Sequence, residues 1–179
     1  MENKQLQMLK KLSFSYLSKY NCSCEKLKSH LRKKLKKIFY NELLQDSSFI
    51  DEYLNQLDDV ILYLQQLGYL NDDIYAKYQF NSLLNRGKSM VQISYKFQEK
   101  GLNPSIISNI IQDGHQNIDV ELFSACKFLK KKSLGIYRKK IEFDINKEIA
   151  IMYRNGFNYD IIKKVLKMSV DEIESILQL

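Results

Sequence analysis

The sequence has little proline and glycine. Its 179 residues include one proline, Pro104, and six glycines, and tryptophan is absent. A turn-rich β-sandwich and the glycine-rich loops of a nucleotide-binding α/β fold both need more of these residues, so the composition argues against both classes. No apolar stretch approaches the roughly 18 residues that cross a bilayer, and residues 1–5 do not lead into a signal-peptide core. We therefore expect a cytoplasmic protein with no membrane partner.

The few cysteines and histidines argue against a metal centre. Three cysteines and two histidines are present. Cys22 and Cys24 form a C-x-C pair, Cys126 stands apart, and only His30 is near the pair. A structural zinc ion usually takes four ligands from two such pairs, and an odd number of cysteines does not suit a disulfide framework. We expect free thiols in a reducing compartment, and no metal or other cofactor.

Apolar residues at helical spacing are the main positive signal. Hydrophobic residues make up 45% of the chain, which is enough to bury a core. Leu27, Leu31 and Leu35 recur every four residues, so they share one face of a helix that Ser23 is suited to cap. Residues 50–67 predict one long helix. Similar patterns continue along the chain, and together they predict an all-α fold.

An internal repeat organises the second half of the chain. Residues 101–107 (GLNPSII) align with residues 156–162 (GFNYDII) without a gap, and the two share the glycine, the asparagine and the isoleucine pair. In both, a glycine turn and a polar cap join two amphipathic helices. Such a unit cannot bury its own apolar face, so neighbouring copies must stack. We predict an elongated array of three tandem three-helix repeats and a C-terminal helix, with boundaries at 5–70, 71–118, 119–167 and 168–179.

No catalytic apparatus is recognisable in the sequence. Gly87-Lys88-Ser89 superficially resembles the end of a phosphate-binding loop, but the position of its first glycine is Ser82 and no strand precedes it. We interpret these residues as the end of one helix and, at Ser89, the cap of the next. The adjacent acids Asp58 and Asp59 point about 100° apart on a helix and so do not converge. We expect a protein that is not an enzyme.

Positive charge is concentrated towards both ends of the chain. The 28 basic and 21 acidic residues give a net charge of +7. Residues 1–70 hold 11 basic and 8 acidic residues, residues 71–118 hold 5 and 4, and residues 119–179 hold 12 and 9. Residues 26–41 and 122–141 contain no acid at all. Taken singly, most of these lysines fit the solvated face of an amphipathic helix. Runs this free of acids fit contact with an acidic protein surface or a DNA backbone as well as they fit a solvated face.

Twelve basic residues are our candidates for contact with a partner, because they lie in these runs or in the glycine turn near the middle of the chain. They are Lys33, Lys34, Lys36, Lys37, Arg86, Lys88, Lys130, Lys131, Lys132, Arg138, Lys139 and Lys140.

The 12 tyrosines and nine phenylalanines could instead stack on nucleic-acid bases. Most of them recur at the spacing of a helical core. We therefore predict core positions for Phe14, Tyr16, Tyr53, Tyr78, Phe97, Phe128 and Tyr153.

Four motifs follow one another in an order that is typical of one bacterial family. Ser23 opens an S-x-x-x-L-x-x-x-L pattern, and residues 67–72 read LGYLND, which is similar to that family's junction between its first two repeats. Residues 86–88 read RGK and are followed by the apolar Ile93 and Phe97 and then by the Lys100-Gly101 turn. Residues 154–157 read RNGF, which is similar to the turn of that family's third repeat. Over residues 9–167 the chain resembles the RecX family, the regulators of the RecA recombinase. It departs from the family in having Ser89-Met90 where Gly-Pro is frequent.

The resemblance implies a three-repeat helical protein without an active site. It further implies binding along the groove of the RecA–single-stranded DNA filament, bridging of protomers, and restraint of filament growth, ATP hydrolysis and strand exchange. We therefore expect a RecA-type recombinase filament as the partner and a monomeric protein. Whether the single-stranded DNA backbone is also contacted stays open.

Two alternatives remain open on the sequence alone. Residues 147–166 also fit a helix–turn–helix, with residues 158–166 as the recognition helix. Its side chains for reading bases would be chiefly Asn158, Lys163 and Lys164. The other alternative is a helical adaptor for an unrelated acidic protein.

Overall fold

The computed structural model describes residues 4–40, 51–139 and 144–178. Within those ranges all regular secondary structure is helical, which confirms the all-α prediction. In chain order the elements are α1 (Lys4–Leu17), α2 (Cys24–Ile38), α3 (Asp51–Asn55), α4 (Leu57–Gln66), α5 (Asp72–Asn85), α6 (Met90–Glu99), α7 (Pro104–Gln116), α8 (Ile118–Lys132), a 3-10 turn (Gly135–Tyr137), α9 (Ile145–Arg154), α10 (Tyr159–Lys167) and α11 (Val170–Leu177).

The chain forms two compact units. Unit 1 comprises residues 1–75 and 100–102, and unit 2 comprises residues 76–99 and 103–179. The boundary therefore lies within α5, after Tyr75. The division into three repeats is a different partition of the chain, and it stays a prediction.

In unit 1, the helices α1, α2 and α4 pack against one another. Their leucine-rich faces meet because the apolar residues recur every three or four positions. A fully buried leucine stabilises a fold by about 1.5–3 kcal/mol relative to an exposed one. The buried core residues are Leu9, Cys22, Leu27, Leu31, Leu35, Leu57, Val60, Ile61, Leu64 and Leu70.

In unit 2, α8 packs against both α10 and α11. The short C-terminal helix α11 is thus part of the core, and its Ile173 is fully buried. The helices α6 and α7 also pack against each other. The main core residues are Leu122, Ala125, Cys126, Phe128, Leu129, Leu134, Met152, Phe157, Ile161, Ile162, Val165 and Ile173.

The prediction of one long helix over residues 50–67 is wrong in one respect. Its described part is divided at Gln56 into α3 and α4. The Gln56 N–H donates to the Tyr53 carbonyl at 3.3 Å, a bond over three residues that tightens the chain before α4 begins. The predicted end of the helix is confirmed, since α4 stops at Gln66 and Gly68 follows with φ +75°.

Each unit contains one copy of the same contact between a helix start and a glycine turn. Ser23 caps α2 in unit 1, and its hydroxyl donates to the carbonyl of Lys100 at 2.6 Å. In unit 2 Ser89 stands at the start of α6, accepts from the Gln92 N–H at 3.3 Å, and donates to the carbonyl of Asn155 at 2.6 Å. Both serines are fully buried. The predicted N-caps are therefore confirmed, and each also makes a tertiary hydrogen bond.

A glycine follows each of the two acceptor residues. Both glycines are required because their φ is positive and because a Cβ there would lie too close to the start of the neighbouring helix. Gly101 and Gly156 have φ +67° and +83°. A Cβ at Gly101 would lie 2.7 Å from the Glu25 Cβ, and one at Gly156 would lie 2.9 Å from the Val91 Cβ. Glu25 and Val91 each follow the capping serine by two residues. The repeated GLNPSII and GFNYDII motifs thus correspond to a repeated tertiary contact.

Replacing Ser89 with alanine removes the cap of α6 and leaves the Asn155 carbonyl without its hydroxyl donor. We expect a loss of about 2 kcal/mol in the free energy of unfolding, measured by urea titration with circular dichroism at 222 nm. Ser169→Ala is the matched control: Ser169 caps α11, but its side-chain partner in the described structure is Glu172. That variant should lose about 1 kcal/mol. Equal losses would show that the Ser89–Asn155 hydrogen bond contributes nothing.

Candidate partner-binding surface

The first basic surface lies on α2 in unit 1. The side of α2 that carries Leu27, Leu31 and Leu35 is fully buried. Because those leucines recur every four residues, they form one buried side of α2, and residues that point away from that side face solvent. Four exposed lysines follow from this geometry, and we name them the α2 basic face: Lys33, Lys34, Lys36 and Lys37.

Neighbouring cations of α2 are paired within the chain, whereas the α2 basic face is not. Arg32 forms an ion pair with Glu25 at 2.8 Å, and Lys28 forms one with Asp58. The Lys28 ammonium, through its hydrogen bond and its charge, holds the pKa of Asp58 below its usual value. Among the described residues, no acid pairs with any of the four lysines of the α2 basic face. Their charge therefore remains available to a partner.

The second basic surface is assembled in unit 2 by the close approach of the Gly87 turn to α8. The Ser124 hydroxyl on α8 donates to the Lys88 carbonyl at 2.7 Å. A Cβ on Gly87 would lie only 2.6 Å from the backbone nitrogen of Phe128. Lys88 is thereby held beside the last turn of α8, which carries Lys131 and Lys132.

Four lysines share this second surface, and we name them the unit 2 basic cluster: Lys88, Lys96, Lys131 and Lys132. Burial lowers the pKa of Lys88, and the charges of the other three lower it further. The Lys88 ammonium is thus repelled by the charges of Lys96, Lys131 and Lys132. A bound anion would relieve that repulsion, because an opposite charge favours the charged form of a lysine.

Two of the predicted contact residues are instead engaged inside the chain. Lys130 forms an ion pair with Glu174 of α11 at 2.8 Å. The same carboxylate accepts from the Tyr137 hydroxyl at 2.9 Å, and burial together with Glu174 raises the pKa of Tyr137 to about 12. Arg138 donates two hydrogen bonds to Glu148, at 2.9 and 3.1 Å. These contacts join α8 and the 3-10 turn to α11 and α9.

The other candidates are placed as follows. Arg86 and Lys139 are exposed. Lys140 lies outside the described residues. The contact of all twelve candidates with a partner stays a prediction. Within unit 2 the structure brings Lys88 together with Lys131 and Lys132.

The Arg138–Glu148 pair predicts a measurable structural role. Glu148 is only 7% exposed, and besides Arg138 it accepts from the Gly135 N–H at 3.2 Å. Arg138→Ala should therefore cost about 2–3 kcal/mol of stability, because a buried carboxylate loses its counter-charge. Lys139→Ala, at an exposed neighbouring position, should change stability by less than about 0.5 kcal/mol. Thermal unfolding of both variants checks this; indistinguishable melting temperatures would contradict the structural role of Arg138.

The chain is similar to several curated proteins of one name. The regulatory protein RecX of Agrobacterium fabrum is 32% identical over 111 residues, which are 60% of this chain and 57% of that protein. RecX of Myxococcus xanthus is 29% identical over 118 residues, 64% and 63% of the two chains. RecX of Clostridioides difficile is 29% identical over 133 residues, 72% and 60% of the two chains. The chain is thus similar to several regulatory proteins named RecX.

These RecX relatives are matched over only part of their length. The aligned segments cover 57% to 63% of the three proteins. No protein-family model matches the chain, and no solved structure matches it. All three relatives are named as regulatory proteins, and none of these names denotes an enzyme.

Lys96 is a member of the basic cluster that the sequence patterns did not indicate. It lies outside both acid-free runs, and Glu99 follows it on the same helix. Its neighbours in the cluster are contributed by the Gly87 turn and by the end of α8. The local sequence gives one indication that Lys96 belongs with Lys88: the two lysines flank the buried residues of α6, which are Met90, Ile93 and Phe97.

Two tyrosines predicted in the core are exposed instead. Tyr78 is 63% exposed and Tyr153 is 66% exposed. Tyr153 directly follows Met152, which is fully buried, and adjacent helical residues point about 100° apart, so both cannot face the core. Tyr78 shares the outer side of α5 with Ile74, which is 65% exposed. The core positions of Phe97 and Phe128 are confirmed.

The residues of the helix–turn–helix alternative are used largely for folding. Asn158 caps α10 and accepts from the Asp160 N–H at 2.9 Å. Ile161, Ile162 and Val165 of α10 are buried. Of the three predicted base-reading side chains, only Lys163 and Lys164 remain exposed without a capping role.

Metal-ligand clusters and apolar helices of membrane-spanning length are both absent from the part of the chain that the structure describes. No group of three or more His, Cys, Asp and Glu side chains there could hold a metal ion. No described helix has both the length and the apolar character to cross a membrane. Cys22, Cys24 and Cys126 are free thiols, and burial raises their pKa to about 11, 12 and 11. Such thiols are protonated and unreactive near neutral pH.

Proposed function

We propose that this protein binds a RecA-type recombinase filament on single-stranded DNA and restrains filament growth, ATP hydrolysis and strand exchange. The observation that carries the proposal is the sequence relationship to three regulatory proteins named RecX. The two basic surfaces support it, since an acidic partner is what unpaired lysines attract. The protein acts in the cytoplasm as a monomer, by binding and not by catalysis.

The proposed mechanism is bridging of successive protomers in the filament groove. Each unit carries its own basic surface, so one chain offers two contacts: the α2 basic face and the unit 2 basic cluster. Two weak contacts on one chain gain avidity, because the second binding event is intramolecular. Such a bridge opposes the rearrangement of protomers that growth and strand exchange require.

Three tandem repeats, in an elongated array, are the proposed scaffold for this bridge. Under that division Ser23 belongs to the first repeat and its Lys100–Gly101 acceptor turn to the second. Ser89 belongs to the second repeat, and the Asn155–Gly156 turn to the third. The recurrence of one contact at corresponding places supports stacking of successive repeats.

The test is an ATP hydrolysis assay. The purified protein is added to recombinase, single-stranded DNA and ATP, and the rate is followed at increasing protein concentration. Inhibition at substoichiometric amounts would support filament control, and no effect on the rate would overturn it. Fluorescence anisotropy with the same single-stranded DNA but without recombinase separates binding to the filament from binding to the DNA backbone. Binding to DNA alone should fall steeply with salt, because each neutralised phosphate releases counterions.

A further inference from the structure

The unit 2 basic cluster is built on one face of α8. The Gly87 turn contacts that helix at the Ser124 hydroxyl and at the backbone of Phe128. Lys131 follows Ser124 by seven residues, and it is exposed. Lys132 follows Phe128 by four residues, and it is exposed as well. Because residues at these spacings share one face of a helix, the two lysines continue the face of α8 on which the turn is fixed.

No acid of the described residues forms an ion pair with any lysine of the cluster. The described ion pairs involve other cations. The acid nearest in sequence is Glu99, three residues after Lys96. Glu99 is exposed and is not among the charges that act on Lys88. Four positive charges on one surface of unit 2 therefore remain for a partner.

The cluster is an open surface that extends over more than one anionic group. Its lysines come from the Gly87 turn, from α6 and from the last turn of α8. Lys96 lies six residues after Met90, the first residue of α6, which corresponds to about 9 Å along the helix axis. Successive phosphates of one strand are roughly 3.4 Å apart along a duplex axis. The cluster is thus wide enough for two or more phosphates of a strand that passes across it.

The composition of the cluster favours phosphates over the carboxylates of a protein surface. One acidic side chain brings one charge, whereas each successive phosphate of a strand brings another at close and regular spacing. All four cations are lysines, and a lysine binds phosphate as a point charge. Arginine is the residue whose planar fork matches a single carboxylate through two parallel hydrogen bonds. A continuous polyanion therefore suits the cluster better than scattered acids do.

We propose that the unit 2 basic cluster binds the phosphates of a nucleic-acid strand, which in the recombinase filament is the single-stranded DNA. The phosphate site follows from the geometry of unit 2, whereas the identity of the strand rests on the proposed function. The inference specifies the unit 2 contact of the bridge. Because the protomers of a filament share the strand on which they assemble, a chain that holds this strand also opposes their rearrangement.

The test measures binding to a fluorescent oligothymidine, without recombinase, by anisotropy at increasing salt. Lys131→Gln/Lys132→Gln removes two charges of the cluster from exposed positions. Each phosphate contact contributes about 0.7 to the slope of log affinity against log salt for a single strand, so the slope should fall by about 1.4 in magnitude. The difference in affinity between the variant and the unmodified protein should then shrink about sevenfold between roughly 50 and 200 mM salt.

Lys163→Gln/Lys164→Gln is the matched control. It removes the same charge from two exposed positions of α10 in the same unit. Its slope should stay within about 0.3 of the unmodified value, because a lysine that does not touch a phosphate releases no counterion. Glutamine and lysine have similar helix propensities, so circular dichroism should show both variants folded.

The outcomes separate the phosphate site from the proposed function. An equal fall of the slope in both double variants, or a larger one in the α10 variant, would overturn the assignment of the cluster. Unchanged binding of the cluster variant to the bare strand, with weaker inhibition of the filament, would assign the cluster to a protein surface and overturn it too. Displacement of the oligothymidine by ATP at equal phosphate concentration would identify a nucleotide site and overturn the strand. If the strand is bound as expected but ATP hydrolysis by the recombinase is unaffected, the phosphate site stands and the proposed function falls.

Discussion

Gly87→Ala is expected to lower the free energy of unfolding by about 3 kcal/mol or more. Two penalties combine at this position. With φ +70°, an alanine must adopt a left-handed backbone, which costs about 1–2 kcal/mol. The new Cβ would also lie 2.6 Å from the backbone nitrogen and 2.8 Å from the Cα of Phe128. Because helix backbone cannot move aside as a flexible side chain can, α8 and the turn must separate, which costs about 1–3 kcal/mol more.

Gly68→Ala isolates the first of these penalties. Gly68 has φ +75°, nearly the same as Gly87, but a Cβ there would meet nothing within 4 Å. We expect a loss of about 1–2 kcal/mol from backbone strain alone. Urea titrations of both variants, followed by helical circular dichroism, give the difference. Equal losses would mean that the Gly87 turn and α8 are not in close contact.

The same Gly87 variant should affect function, because the turn holds Lys88 beside Lys131 and Lys132. Separation of the turn from α8 would disperse the unit 2 basic cluster. At a temperature at which the variant is still folded, we expect weaker inhibition of ATP hydrolysis than with Gly68→Ala. The comparison tests whether the cluster acts as a unit.

Reversing the charge of the α2 basic face is the second change with a large expected effect. With Lys33, Lys34, Lys36 and Lys37 replaced by glutamate, the concentration for half-maximal inhibition of the filament should rise at least about 10-fold, since like charges would then oppose association. Helicity should not change, because all four side chains are exposed and none forms an ion pair with a described acid. Unaltered inhibition would remove this face from the proposed contact surface.

A smaller variant pair controls for total charge. Lys36→Glu/Lys37→Glu and Lys163→Glu/Lys164→Glu change the net charge by the same amount, on α2 and on α10 respectively. If the α2 basic face is a contact, only the first pair should weaken inhibition, and its effect should shrink as salt screens the charges. Loss of function confined to the α10 pair would instead favour the helix–turn–helix alternative, in which Lys163 and Lys164 face DNA.

Local sequence patterns determined much of the fold because helix formation depends on neighbours along the chain. The spacing of Leu27, Leu31 and Leu35 fixes which side of α2 is buried, and so places the lysines of the α2 basic face in solvent. Ser23 and Ser89 indicate where helices begin, because a serine side-chain oxygen can accept a hydrogen bond from a backbone N–H of the first helical turn. Glycine marks the turns because only a residue without a Cβ adopts a positive φ freely. Each of these features is decided within a few residues.

Other features depend on packing between segments that are distant in sequence, and periodicity does not contain that information. The break at Gln56 falls inside a pattern that reads as one helix. Tyr153 has core spacing, yet its neighbour Met152 takes the buried place. Lys130 belongs to the same basic run as Lys131, but Glu174, 44 residues later, pairs with it.

By itself the sequence determined an all-helical chain, its helix-ending glycines, its capping serines, its basic α2 face and its resemblance to RecX proteins, since all of these depend on local spacing and order. Only the tertiary structure decided that Lys88 and Lys96 join Lys131 and Lys132, and that Arg138 belongs to Glu148. The physical reason is that side-chain charge and exposure follow from which helix faces meet. That choice is made by the fit of whole surfaces, such as the Gly87 turn against α8, and not by any single stretch of residues.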